Sequence, residues 1–295
     1  MQITAVMVKE LRERTGAGMM ECKRALTETD GDMEAAVEQM RKSGMAQADK
    51  KAARVAAEGT IAMATSSDGA SASIVEVNSE TDFVAKGDDF KAFAQAVAEQ
   101  VLDQNPSDLA ALSDLPIHFG DKQTIEVARQ EMIGKIGENI QVRRFEKLSS
   151  GTGQISTYLH GSRIGVLVEI KGGGAEVGKD IAMHIAASRP VCVAEHDVPA
   201  ALLEKEKEIL MARAQDSGKP ANIIEKMVQG RLKKYLSEVT LLGQLFVKDP
   251  DQSVSDVLAA AGAEVLRFSR LEVGEGIEKK SENFADEVMA QVKGS

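Results

Sequence analysis

The feature that most constrains this 295-residue chain is that its middle is written twice. The first copy opens at Gly59-Thr60-Ile61, turns at Ser67-Asp68-Gly69 and returns through Ile74-Val75-Glu76-Val77. A helical stretch follows, with Phe90, Phe93, Ala94, Val97 and Val101 on one face. The copy closes on Val142-Arg143-Arg144-Phe145-Glu146-Lys147-Leu148. The second copy opens at Gly153-Gln154-Ile155, turns at His160-Gly161-Ser162 and returns through Ile164-Gly165-Val166-Leu167-Val168. Its helix carries Val177, Ile181 and Ile185 inward, and it closes on Val265-Leu266-Arg267-Phe268-Ser269-Arg270-Leu271. Short apolar runs bounded by Gly, Asp and Ser read as strands, and three-to-four spacing reads as helix. Self-similarity at this scale means one supersecondary unit used twice. The expected class is α+β: a duplicated α/β core of two related subdomains with antiparallel sheets, at 59–149 and 150–280.

The copies do not keep a constant offset. Residues 59 and 153 are 94 apart, whereas residues 142 and 265 are 123 apart, so the second copy holds 29 extra residues. The sequence places an inserted helical hairpin at about 197–237. One helix covers roughly 199–216, with Leu202, Leu203, Ile209 and Leu210 at seven-residue spacing; Ser217-Gly218-Lys219-Pro220 reverses the chain; the second covers roughly 221–236, with Ile224, Met227, Val228 and Tyr235. A lone helical pair hides little apolar surface, so the hairpin is expected to pack on its own copy, on a partner or on a twin. A homodimer or 2:2 assembly through it stays open. A last amphipathic helix, capped by Ser281 and lined by Phe284, Val288 and Val292, gives a C-terminal module at 281–295.

Ahead of the core, residues 1–44 read as three helices. Ile3, Met7 and Leu11 line the first, which breaks at Thr15-Gly16-Ala17-Gly18. Met19, Cys22 and Leu26 line the second. Asp32 caps the third, which carries Met33, Ala36, Val37 and Met40 and closes at Ser43-Gly44. Such a unit is marginal alone and suits docking. The Ala-, Lys- and Arg-rich stretch 45–58 reads as a helical or flexible linker, with the helical domain at 1–50 and the link proper at 51–58.

Much chemistry is missing. The net charge of −10 opposes bulk nucleic-acid binding. Cys22 and Cys192 are far apart and show no metal spacing. Without a signal peptide or a long apolar run, a reduced cytoplasmic setting and no membrane association are expected. Neither H-E-x-x-H nor G-x-S-x-G occurs. His184 reads as a packed core residue, His196 and His118 as loop residues, and His160, at a hairpin tip, equally as a contact or a neutral residue. Gly172-Gly173-Gly174 lacks the Lys-Ser/Thr of a phosphate loop and reads as a flexible connector; neither it nor Gly274-Glu275-Gly276 suggests a bound nucleotide. No cofactor or metal is expected. A hydrolase built on His160 or Cys192 lacks a base, nucleophile and orienting group at familiar spacing.

Two apolar placements stand out. Met20 shares a helical face with Lys23 and Arg24, which suits a protein contact or a harmless exposed Met. Phe83, in Ser79-Glu80-Thr81-Asp82-Phe83-Val84-Ala85-Lys86, is either a staple packed back on its helix or a presented wedge with a carboxylate beside it.

At these residues the chain resembles the bacterial translation elongation factor Ts family. The resemblance is carried by residues 8–20 with Cys22-Lys23, by Thr81-Asp82-Phe83-Val84-Ala85-Lys86 and by Lys135-Ile136-Gly137-Glu138-Asn139. It continues through residues 160–168, Ser217-Gly218-Lys219-Pro220 and residues 273–279. It covers nearly the whole chain in order. It implies guanine-nucleotide exchange on elongation factor Tu, a non-enzymatic role. It also implies that the N-terminal three-helix domain is ubiquitin-associated-like and that the inserted hairpin is a coiled coil. Carried over by position, Arg12, Met19 and Met20 would touch the GTPase's nucleotide domain. Thr81, Asp82, Phe83 and Val84 would displace its Mg²⁺, and Ile136, Gly137 and His160 would make further contacts. Ser162 stands where Ala is common in the family and Leu245 where Pro is common, and the loop-like stretch 105–123 has no clear match. The competing reading is a ubiquitin-associated-type adaptor or scaffold whose three-helix domain binds a short helix or a ubiquitin-like partner; stable binding to a GTPase with no effect on GDP release would favour it.

Overall fold

The computed structural model describes residues 3–215 and 220–278. Three helices come first: α1 (Ala5–Thr15), α2 (Met19–Glu28) and α3 (Met33–Lys51). The Thr4 hydroxyl accepts the Met7 N–H to start α1, and the Asp32 carboxylate accepts the Ala35 N–H to start α3. Val8, Leu11, Ala17, Cys22, Ala25, Leu26 and Ala36 form their common core. Two expectations need correction. Met19 is exposed rather than sharing the buried face of Cys22 and Leu26, because it opens the helix beyond the edge of the bundle. And α3 does not close at Ser43-Gly44 but continues to Lys51. Gly44 is buried against a later helix, whose Gly134 lies so near that a β-carbon on it would stand 3.2 Å from Gly44 Cα. The glycine that reads as a stop is a crossing point. Ala48, further along α3, belongs to the main core.

The first sheet comprises β1 (Glu58–Thr65), β2 (Ser71–Ser79) and β3 (Gln141–Ser149), antiparallel in that order. Between β2 and β3 lie α4 (Asp82–Lys86), α5 (Asp88–Gln104), α6 (Leu109–Ser113) and α7 (Ile125–Ile136). The stretch expected to be a loop at 105–123 therefore contains one helical turn, α6, and Ile117 within it is buried. Phe90, Phe93, Ala94, Val97 and Val101 of α5 pack on the sheet through Val75 and Val77, as their spacing requires. The second sheet repeats the arrangement, with β4 (Gln154–His160), β5 (Ile164–Lys171) and a closing strand β8, and it is covered by α8 (Gly174–Ser188). Between them run α9 (Ala200–Gln215), α10 (Ala221–Val239), β6 (Leu245–Phe246), β7 (Asp249–Ser253) and α11 (Val254–Ala260), before β8 (Glu264–Glu272). The β6–β7 ribbon pairs a two-residue apolar strand with the polar, proline-containing Asp-Pro-Asp-Gln-Ser, so no apolar alternation announces it.

The two sheets meet face to face through Ile61, Ile74, Leu148, Ile155, Leu167 and Leu271. They press together at Gly165, where a β-carbon would stand 2.6 Å from Ile61 Cγ2 and 2.7 Å from Ile74 Cδ1. The middle strands also share an irregularity. β2 breaks register after Glu76 and β5 after Glu169, each a buried carboxylate facing an arginine of the closing strand. Glu76 meets Arg144 at 2.5 Å and Glu169 meets Arg267 at 2.6 Å.

Gly172-Gly173-Gly174 is not a slack connector. All three residues have φ between 73° and 77°, and a β-carbon on Gly172 would meet the Gly262 carbonyl at 2.2 Å, so the triplet is a tight turn wedged beneath the α11–β8 corner. In the hairpin, Leu210, Ala214 and Val228 are buried together, while Ile209 points to solvent, contrary to the apolar face expected for it. The turn expected at Ser217-Gly218-Lys219 and the last helix expected at 281–293 lie outside the described residues. Among the described residues no helix is long and apolar enough to cross a membrane.

Candidate functional site

α4 has only five residues, too short to hold its shape unaided. Ala85 is buried in the main core and Val84 packs half-buried beside it, which fixes the helix's rotation. At about 100° per residue, a side chain two positions before Ala85 points the opposite way. Phe83 accordingly projects outward with 83% of its surface exposed. It does not staple back onto its own helix. The Asp82 carboxylate pairs with Lys86 one turn on, at 2.5 Å. The Lys86 hydrogen bond leads in holding the Asp82 carboxyl below the usual carboxylate range.

The base of α4 is tied to a distant segment. Glu138 accepts the Thr81 N–H at 3.0 Å and the Thr81 hydroxyl at 2.7 Å. Glu80 in return accepts the Asn139 N–H at 2.6 Å. The Asn139 side-chain amide donates to the Arg54 carbonyl at 2.7 Å, and Lys51 donates to the Gly137 carbonyl at 2.5 Å. Ile136 and Gly137, both half-buried, end α7 through the left-handed Gly137.

The helical unit reaches the same neighbourhood. Lys135 of α7 bonds to Asp89, at the start of α5, at 2.6 Å. The Lys135 ammonium also lies 3.1 Å from where a Gly16 β-carbon would stand. The turn that precedes Met19 and Met20 thereby lies beside α7, through the same lysine that reaches the start of α5. Met19 is 55% and Met20 77% exposed, and Arg12 is exposed on the last turn of α1. His160 lies elsewhere, at the β4–β5 turn, where its Nδ1 shares a 3.1 Å hydrogen bond with the Tyr158 hydroxyl. The structure thus groups Thr81, Asp82, Phe83 and Val84 with Ile136 and Gly137, sets the turn before Met19 and Met20 beside Lys135 of α7, and leaves His160 on the β4–β5 turn.

Little here suits covalent chemistry. His184 is buried in the second core, accepts the Val247 N–H at Nδ1 and faces the Gln244 carbonyl through Nε2, so it is the neutral Nε2–H tautomer. Burial holds its pKa below the ordinary value. Burial likewise pushes the Cys192 thiol up, away from reactivity. Among the described residues no three His, Cys, Asp or Glu side chains are grouped to hold a metal ion. A cavity of about 180 Å³ between the helical unit and α7 is a seam, rimmed by Arg14, Glu21, Arg24 and Glu131, with no convergent catalytic groups.

The residues that sequence reasoning passed over are Glu80, Glu138 and Asn139. Their signal was weak: a glutamate beside Thr81 and another beside Asn139, 58 positions apart, with nothing in the spacing to pair them.

Comparison with known proteins places this geometry in context. The profile of the family described as Elongation factor TS matches residues 80–275, from Glu80 beside the clamp to Glu275 beyond β8. A protein of Methylococcus capsulatus named Elongation factor Ts is 64% identical over 295 residues, covering all of both chains. One of Halorhodospira halophila with the same name is 61% identical, again over the full length of both. One of Thioalkalivibrio sulfidiphilus is 63% identical over the full length of both chains.

Proposed function

Since this chain belongs to the elongation factor Ts family of translation factors, we propose that it is a guanine-nucleotide exchange factor for elongation factor Tu, with Phe83 as the wedge that disturbs the GTPase's Mg²⁺ site. A GTPase holds GDP largely through Mg²⁺ and the backbone amides around the phosphates. Mg²⁺ demands near-ideal octahedral geometry, so small displacements of the surrounding segments cost binding energy. A rigid aromatic ring entering beside those segments forces such a displacement. Docking supplies the work: Arg12, Met19 and Met20 from the helical unit, and Ile136, Gly137 and His160 from the core, would grip separate parts of the partner. This factor itself needs no nucleotide.

Factor and nucleotide then weaken each other reciprocally; a coupling of about 3 kcal/mol corresponds to roughly 150-fold in each affinity. The factor speeds GDP release so that GTP can rebind, and it leaves the free GTPase's nucleotide preference unchanged.

One observation carries the reading: a large aromatic side chain stands 83% exposed on a short helix that is anchored on both sides. Exposure alone does not single the ring out, since Phe119 is 92% exposed; Phe83 differs in standing on backbone fixed by the buried Ala85 and by the Glu138–Thr81 bonds, with a carboxylate beside it. The test is release of fluorescent GDP from elongation factor Tu, followed by stopped flow, with the wild-type chain and with Phe83→Ala. Slower release by the variant supports the wedge; release at the wild-type rate refutes it.

A further inference from the structure

We propose that Glu138 is the positioning residue for Phe83, completing from a distant part of the chain the N-terminal cap that α4 cannot complete for itself. This rests on the wedge reading above and adds to it the group that aims the wedge.

A helix start leaves backbone N–H groups without partners. The common remedy is reciprocal: the N-cap hydroxyl takes the N–H three residues on, and a Glu or Gln at that third position reaches back to the N-cap N–H. In α4 the N-cap is Thr81, and its hydroxyl accepts the Val84 N–H at 3.5 Å. The third position is Val84, which has no carboxylate to return. Glu138 supplies it from 57 residues away, one oxygen on the Thr81 N–H and the other on the Thr81 hydroxyl proton. That second bond matters for direction. A threonine hydroxyl has one proton and two lone pairs. With the proton committed to Glu138, the lone pairs are left toward Val84, and the hydroxyl cannot rotate away.

The clamp closes in both directions, since Glu80 accepts the Asn139 N–H. Residues 80–81 and 138–139 therefore hold each other through three bonds to carboxylate oxygens, which are stronger than bonds between neutral groups. Phe83 sits two residues beyond Thr81, on a helix with a single fully buried side chain, Ala85. The Thr81 end is the second fixed point, and two points set the ring's direction.

The test is a double-mutant cycle in the fluorescent GDP release assay, using the full chain with Glu138→Ala, Phe83→Ala and both together. Glu138→Ala is expected to lower the maximal release rate about 10-fold, the equivalent of roughly one hydrogen bond to a charged group. The concentration for half-maximal effect should stay the same, because none of the proposed docking residues, Arg12, Met19, Met20, Ile136, Gly137 and His160, is changed. In the Phe83→Ala background the same change should do nothing further. A full additional loss in that background overturns the positioning role, because Glu138 then acts independently of the ring; no slowing in the Phe83 background overturns it too. If Phe83→Ala alone releases GDP at the wild-type rate, the wedge reading falls and this one with it.

A partner-free readout guards against misfolding. The chain contains no Trp, so Phe83→Trp is a lone reporter. Adding Glu138→Ala should lower its fluorescence anisotropy while the protein still melts in one cooperative transition, and adding Glu138→Gln, which keeps one acceptor oxygen, should give an intermediate value. Unchanged anisotropy in both refutes the proposal.

Discussion

Replacing Glu76 with Gln should destabilise the protein much more than the same change at Glu169, although the two occupy matching places in the repeated unit. The Glu76 carboxylate is completely buried and accepts from Arg143 at 3.0 Å, Arg144 at 2.5 Å, the Asn78 amide at 3.1 Å and the Gly274 N–H at 2.7 Å. Its arginines also hold the far end of β8 and the turn beyond, Arg144 at the Glu272 carbonyl and Arg143 at the Glu275 carbonyl. Removing one member of a buried ion pair typically costs about 3–5 kcal/mol. Here the guanidinium groups are a quarter to a third exposed and keep their carbonyl partners, so water compensates in part. The expected loss is therefore about 2–3 kcal/mol. Glu169 faces only one arginine, Arg267, whose side chain is half exposed, so its loss should be about 1 kcal/mol. Urea unfolding followed by circular dichroism, with unchanged slope, reads the difference directly. The pH dependence adds a second check. Burial raises the Glu76 pKa, but the Gly274 amide and Arg144 outweigh it and the net shift is downward. The stabilisation is thus fully present above the ordinary carboxylate pKa, about 4.3, and is lost as pH falls through the lower folded value. The gap between wild type and Glu76→Gln should be widest at neutral pH and close in acid. Equal losses at Glu76 and Glu169, or a gap that persists at low pH, would refute this account.

Four further outcomes follow from the structure. Phe83→Ala should change the urea midpoint by less than about 0.5 kcal/mol, since the ring is exposed, while GDP release slows; a large stability loss would mean the ring is buried in solution. Gly165→Ala should cost about 1–3 kcal/mol, because its β-carbon would overlap Ile61 and Ile74 where the sheets meet; an unchanged midpoint would contradict that contact. Melts between pH 8 and pH 5 should lose stability below the ordinary His value of 6.5, where unfolded His184 takes a proton that the buried neutral ring refuses, by up to about 1.4 kcal/mol per pH unit; His184→Gln should flatten the profile. Removing residues 1–51 should lower the melting temperature as well as the exchange rate, because it takes Ala48 out of the main core and Lys51 off Gly137; a deletion that melts like the parent would show that α3 contributes nothing there.

The repeated strands and their two long helices were readable because burial imposes period: Phe90, Phe93, Val97 and Val101 can face one sheet only at helical spacing. The hairpin was readable from the unequal offset. α7 was not, because only Ile125 and Ile133 in it are fully buried and its apolar stripe is correspondingly thin. Gly44 and Gly172 misled for one reason: a missing side chain marks flexibility in a sequence but tight approach in a packed molecule. At the site, Phe83 and Met20 could be singled out by chemistry, yet whether each faces in or out depends on a rotation fixed by Ala85 and by the bundle edge. The Glu138–Thr81 clamp joins positions 57 apart, and no local pattern encodes a pairing set by how β2 and α7 happen to end side by side.

On the proposed reading, with contacts from both the helical unit and the core, the unbroken run of α3 sets how tightly the target is held. Nineteen residues of helix make a strut about 28 Å long, footed on α7 at one end and carrying the three-helix bundle at the other. Two recognition patches joined by slack chain search a volume, and the second engages only at the local concentration the tether allows. Patches mounted on one rigid ruler arrive together or not at all. Avidity is then set by the match in spacing, and a target whose two footholds drift apart by a few ångströms is shed from both.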